Sequence, residues 1–202
     1  MSRTLRAIMV ILLLGSCGGG GGNHGPAPRA LDDACLILDQ RPEYSRAFRA
    51  AERRWGVPVH VQMATIYQES KFDGSARTPF RYTLGVIPMG RQSSAYGFSQ
   101  ALDGTWDEYR RDTNRHRARR NDIHDSADFI GWYMVGSSDR LGISRNDARN
   151  QYLAYHEGRT GYSRGSHNSK PWLLRVAGEV ETRSQTYRAQ LARCGGNRFA
   201  GL

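Results

Sequence analysis

Lysine is almost absent from this sequence. Lys71 and Lys170 are the only two, and the rest of its 29 basic residues are arginine. Against 19 acidic residues they leave a net charge of +10. That balance favours an anionic partner, whether nucleic acid, a lipid surface or an acidic polymer, and a solvated basic face with no partner is the alternative. Cysteine is scarce, with three in 202 residues and no CxxC pair, so the thiol redox and zinc motifs of that spacing are excluded. Strand patterns are weak, and Tyr82 to Ile87 is the best of them. Long apolar runs are missing too. AIMVILLLG, Ala7 to Gly15, is too short to span a bilayer comfortably.

That apolar run follows Arg3 and Arg6 and reads as a signal peptide over residues 1–16. It ends in Leu14-Gly15-Ser16-Cys17, which resembles the bacterial lipobox. The resemblance implies cleavage before Cys17, lipidation of its thiol and attachment to a membrane, facing the periplasm. Gly18 after the cysteine resembles the outer-membrane pattern. Loss of Arg3 and Arg6 lowers the net charge from +10 to +8. An exported lipoprotein meets little nucleic acid, so that partner is set aside. Cys35 and Cys194 remain. In an oxidising compartment they form a disulfide around nearly the whole folded region, or they stay as two buried thiols.

GGGGGNHGPAP has no apolar periodicity and reads as a flexible tether, so residues 17–28 link the anchor to the domain. The folded domain is expected over 29–194 and a loose tail over 195–202. Between them the spacing is helical. Tyr44, Ala47, Phe48, Ala51 and Trp55 share one helix face, which Gly56 ends. Pro58 opens the next helix, whose apolar face runs through Val59, Met63, Ile66 and Tyr67. Further helices are predicted over 102–111, 125–135, 145–156 and 171–192, with Asp125-Ser126 and Ser144 as caps. The run from Tyr109 to Asp122 places Arg111, Arg115 and Arg119 at spacings of four, a stripe on a helix. The fold class is mainly α, with at most a small strand element near 82–87.

Glu69 stands out. It sits in the last turn of an apolar helix, where a carboxylate opposes the helix dipole. A solvated helix-end charge and a functional acid are both open on position alone. Three islands point to function: Glu69-Ser70-Lys71-Phe72, then Ala95-Tyr96-Gly97-Phe98-Ser99-Gln100, then Ala154-Tyr155-His156-Glu157-Gly158. In this order they resemble the E-S-x-F, A-x-G-L-M-Q and A-Y-N-A-G motifs of the soluble-type (SLT) lytic transglycosylases, relatives of goose-type lysozyme. The resemblance implies a lysozyme-like fold and cleavage of the MurNAc–GlcNAc bond of murein, with Glu69 as general acid and then base and a 1,6-anhydro product. It implies that the partners are glycan strands, and that neither metal nor cofactor takes part.

The same resemblance assigns a substrate pocket to Ser70, Gly97, Phe98, Gln100, Tyr155, His156 and Glu157. Tyr155 orients Glu69 through its hydroxyl, or is a core aromatic. Gln100 hydrogen-bonds the acid or an acetamido group, or caps a helix. Gly97 allows a glycan close to the backbone, or a tight turn. Where the family has Asn-Ala, this chain has His156-Glu157. Glu157 is then a second acid or base, or a structural charge paired with Arg159. HExxH zinc chemistry is excluded because position 160 is Thr160. Residues 78–91 form an insertion at the cleft mouth, whose Phe80 and Tyr82 hold sugar rings or cover the core. The alternatives are a muramidase that hydrolyses the same bond and a non-catalytic peptidoglycan-binding lipoprotein.

Overall fold

A computed structural model describes residues 26–83 and 87–198. The expected signal peptide, Cys17 and most of the tether lie outside the described residues. The chain folds in the order α1 (Ala34–Gln40), α2 (Pro42–Trp55), α3 (Val59–Ser70), β1 (Phe80–Thr83), β2 (Ile87–Arg91), α4 (Asp103–Asp112), α5 (Ile123–Leu141), α6 (Ala148–Ser163), a 3-10 turn (Ser166–Ser169) and α7 (Pro171–Arg198). The mainly α, lysozyme-like class is what the residues adopt.

α3 is the centre of the molecule. Val59, Val61, Gln62, Met63, Ala64, Thr65 and Ile66 are all buried, so the helix is enclosed on nearly every side rather than along one stripe. α7 packs on it, and α2, α5 and α6 complete the surround. Its buried side-chain donors are satisfied, while Gln62 Oε1 has no hydrogen-bond partner among the described residues. Gln62 donates to the carbonyls of Phe48 and Val57 at 3.2 and 2.8 Å, and Thr65 donates to Val61 at 2.9 Å. Gly56 ends α2 in the left-handed region, as its position predicts. Pro58 sits at the N-cap of α3, one position before the first helical residue.

Several boundaries differ from expectation. α5 is capped by Asp122, whose side chain accepts from the amides of His124 and Asp125, and α6 by Asp147, which accepts from Asn150. An aspartate just ahead of the apolar periodicity meets the first unpaired amides better than the later Asp125-Ser126 or the earlier Ser144. The predicted strand over 82–87 straddles the end of β1 and the start of β2, which pair antiparallel. α7 continues to Arg198, into the expected tail. The arginine stripe does not form, because α4 ends at Asp112. Arg115 instead bridges Asp125 at 2.6 Å, and Arg120 binds Asp103 at 2.7 Å and the carbonyls of Ser94 and Ala101.

Cys35 and Cys194 are joined in a disulfide, with Cα atoms 6.2 Å apart and a sequence separation of 159. Closing so long a loop is worth about 5 kcal/mol in the chain-entropy model.

Candidate active site

The end of α3 carries Glu69 to the wall of a cavity of about 490 Å³. Phe129, Tyr133 and Tyr155 line it with aromatic surface, and Thr78, Gln100, Thr105, His156 and Glu157 supply polar groups. A larger groove, about 650 Å³, runs along α7 and is lined mainly by charged residues such as Arg149, Arg175 and Glu181. The smaller cavity is the candidate site, because the Glu69 carboxyl lines it. Burial penalises the charged form of Glu69 and pushes it up from 4.5 to about 7. A hydrogen bond from the Tyr152 hydroxyl and the charge of Lys71 pull the other way and are smaller.

The backbone around the acid is held in sparse conformations. Lys71 and Phe72, directly after Ser70, both have positive φ (53° and 61°), and so does Gln100 (48°) on the segment that lines the cavity. Such residues cost about 1 kcal/mol or more each. Full burial of the Phe72 ring, stacked on Tyr44 at 5.8 Å, offsets that cost. Gln100 spends both amide hydrogens on backbone, donating to Ala76 and Gly97 at 2.9 and 2.8 Å. Its Oε1 is what remains for a ligand.

α6 supplies the facing wall. Tyr152 and Tyr155 lie three apart on one helix face, and the expectation for Tyr155 needs correction. Its hydroxyl donates to the Ser99 carbonyl at 2.5 Å, while Tyr152 is the residue that hydrogen-bonds Glu69. Tyr155 instead packs its ring against Tyr133 at 5.0 Å, as part of the cavity lining. Gly158 breaks the helix with φ 73°, a conformation that side chains rarely adopt, just after His156 and Glu157.

Glu157 is the opposite of Glu69. Lys170 Nζ donates to both its oxygens at 2.8 and 2.9 Å, Ser166 Oγ donates to one, and His156 Nδ1 lies 3.1 Å from the other. These bonds, led by Lys170, hold its carboxyl down at about 2. The expected partner, Arg159, is elsewhere. It donates to the Tyr133 carbonyl at 3.0 Å and lies over that residue's ring. Arg159 follows the break at Gly158, so its side chain leaves the helix face that Glu157 occupies. An ionised carboxylate only accepts, so the His156 Nδ1 must carry the shared proton and Nε2 is left as the other face of the imidazole.

A family model for the transglycosylase SLT domain matches residues 5–194. The chain belongs to this family. No curated protein matches it in sequence. As an SLT domain it is a peptidoglycan lytic transglycosylase, an enzyme whose substrate is peptidoglycan.

Not every residue expected in the SLT pocket lines it. Phe98 is fully buried in the core, edge-on to Tyr44 at 5.8 Å. Ser70 is buried and donates to the carbonyls of Ile66 and Phe98, which ties the end of α3 to the Gly97–Gln100 segment. Gly97 has φ 76°, and a β-carbon there would stand 2.0 Å from the Arg120 carbonyl oxygen. The close approach it allows is to Arg120, not to a ligand. These three build the support behind the cavity. Gln100, Tyr155, His156 and Glu157 do line it, with Glu69. In the insertion, Phe80 is 46 % exposed with the Arg91 guanidinium 4.3 Å over its ring, so it does not cover the core. The Tyr82 side chain lies outside the described residues.

Sequence reasoning missed Tyr152, Lys170, Phe129 and Tyr133 as parts of the site. The i, i+3 spacing of Tyr152 to Tyr155 was a usable signal. For Lys170, the hint was only its rarity.

Proposed function

We propose that Glu69 is the general acid and then the general base of a murein lytic transglycosylase reaction. Its neutral carboxyl protonates the glycosidic oxygen as the bond to the MurNAc anomeric carbon breaks. The C6 hydroxyl of the same MurNAc then attacks that carbon and returns its proton to Glu69. One C–O bond breaks, one forms, no water is consumed, and the product end is 1,6-anhydro-MurNAc. The observation that carries this is the enclosure of Glu69: a carboxyl raised to about 7 is a usable acid near neutral pH. Glu157 has no part in the proton transfers, because a carboxyl held near 2 keeps no proton to give and its oxygens are occupied.

The lipobox-like Leu14 to Cys17 supports an enzyme held by a lipid on Cys17, in the periplasm and at the outer membrane. Metabolic labelling with a fatty acid checks this, with Cys17→Ala expected to lose the label. Mass spectrometry of digested murein tests the reaction. Anhydro ends are expected. Reducing ends would mean hydrolysis and overturn the proposed route, and intact murein would reduce the protein to a binder.

A further inference from the structure

Trp172 is the one tryptophan that stands in solvent, 47 % exposed, while Trp106 is buried and Trp55 and Trp132 are partly covered. It sits in the first turn of α7 and approaches the ring of His156, a residue that lines the cavity, with centroids 5.2 Å apart and planes at 77°. Lone exposed apolar residues are ordinary on a protein surface. This one is not lone, and it is not loose. Pro171 starts the helix beneath it, and Lys170, two residues before it, is clamped by both oxygens of Glu157 on α6. Leu173, directly after it, is fully buried. The indole is therefore held from both sides in sequence, at the edge of the cavity, with about half of its surface uncovered.

We propose that Trp172 and His156 form a glycan-binding wall that extends the cavity by a sugar ring beyond the scissile bond. A pyranose presents a face of C–H bonds, weakly positive, which suits the negative face of an indole and removes apolar surface from water. The neighbouring imidazole adds a directional contact. Its Nδ1 is committed to Glu157, so Nε2 is the nitrogen left to hydrogen-bond a sugar hydroxyl or acetamido group. The Lys170–Glu157 pair has a role in this picture: it positions the wall.

The inference rests on the cavity being the glycan site, and its test is a binding measurement without turnover. The probe is a β-1,4-linked N-acetylglucosamine hexasaccharide, titrated into the full-length Glu69→Gln protein while tryptophan fluorescence is followed. Adding Trp172→Ala is expected to weaken binding about tenfold and to remove the fluorescence change. Trp172→Phe keeps a ring and is expected to bind within about threefold of the parent, which separates loss of stacking from loss of fold. On murein, Trp172→Ala alone should raise KM and leave kcat within about twofold, as removal of uniform binding does. Unchanged hexasaccharide affinity in Trp172→Ala overturns the wall and leaves the role of Glu69 untouched. Cleavage that persists in Glu69→Gln overturns that role and leaves the binding result standing.

Discussion

Two glutamates face one cavity, and their surroundings drive them in opposite directions. Glu69 comes off a buried helix into aromatic surroundings, with one tyrosine hydroxyl as its hydrogen-bond partner among the described residues, and is raised to about 7. Glu157 lies beyond two turns of another helix, meets a lysine, a serine and a histidine, and is lowered to about 2. The residue type is the same, so the difference is entirely one of environment. Starving a carboxyl of partners makes an acid, and saturating it makes a structural charge.

The strongest way to break this contrast is Glu69→Gln. Murein cleavage is expected to fall by about 10³-fold or more. The same variant carries a stability signature. The folded pKa of Glu69 lies above the unfolded value of 4.5, so the folded state binds the extra proton between those values. Stability of the parent therefore declines as pH rises from about 4.5 through 7, by about 2–3 kcal/mol. Glu69→Gln lacks that decline, so its Tm should exceed the parent's at pH 8 and match it at pH 4. An equal difference at both pH values would mean that Glu69 is not held as described.

Glu157→Gln tests the other half. Its depressed pKa adds stability that is present above 4.5 and lost as pH falls towards 2. Removing the charge should cost about 2 kcal/mol at neutral pH, a figure lowered for the part of Lys170 that stands in solvent, and little at pH 2. Denaturant unfolding at the two pH values reads this directly. Activity should drop about tenfold through the displaced His156 and Trp172 wall. A folded Glu157→Gln protein as dead as Glu69→Gln would erase the distinction between the two acids.

Tyr152→Phe is the finest probe. The lost hydrogen bond had lowered the pKa of Glu69, so the alkaline limb of the pH–rate profile should move up by about half a unit. The rate constant should fall several-fold because the carboxyl loses its aim. Tyr155→Phe, whose hydroxyl serves Ser99, should leave that limb in place.

Most of the helical frame was legible, because spacings of three and four survive whatever the helix packs on. Glu69 was legible as well, since an acid in the last turn of a buried helix is out of place on local grounds. The contacts made across the fold were not. Tyr152 and Tyr155 share a face, and nothing along the chain says which hydroxyl meets the acid. Phe98 sits in a motif tied to the pocket, yet its ring turns inward to Tyr44 while Gln100, two positions on, lines the cavity. Lys170 is 13 positions from Glu157, and the turn that joins them is irregular. The arginines of 109–122 looked like a stripe because the spacing held past Asp112, where the helix itself had stopped.

The disulfide has a mechanical consequence. Cys35 and Cys194 bracket every element that shapes the cavity, and their Cα atoms stand 6.2 Å apart. A pull applied between the segments that flank the domain would run through the sulfur–sulfur bond and bypass the helices. A load of that kind would leave the geometry around Glu69 undisturbed, and reduction of the bond would pass it on to the helices.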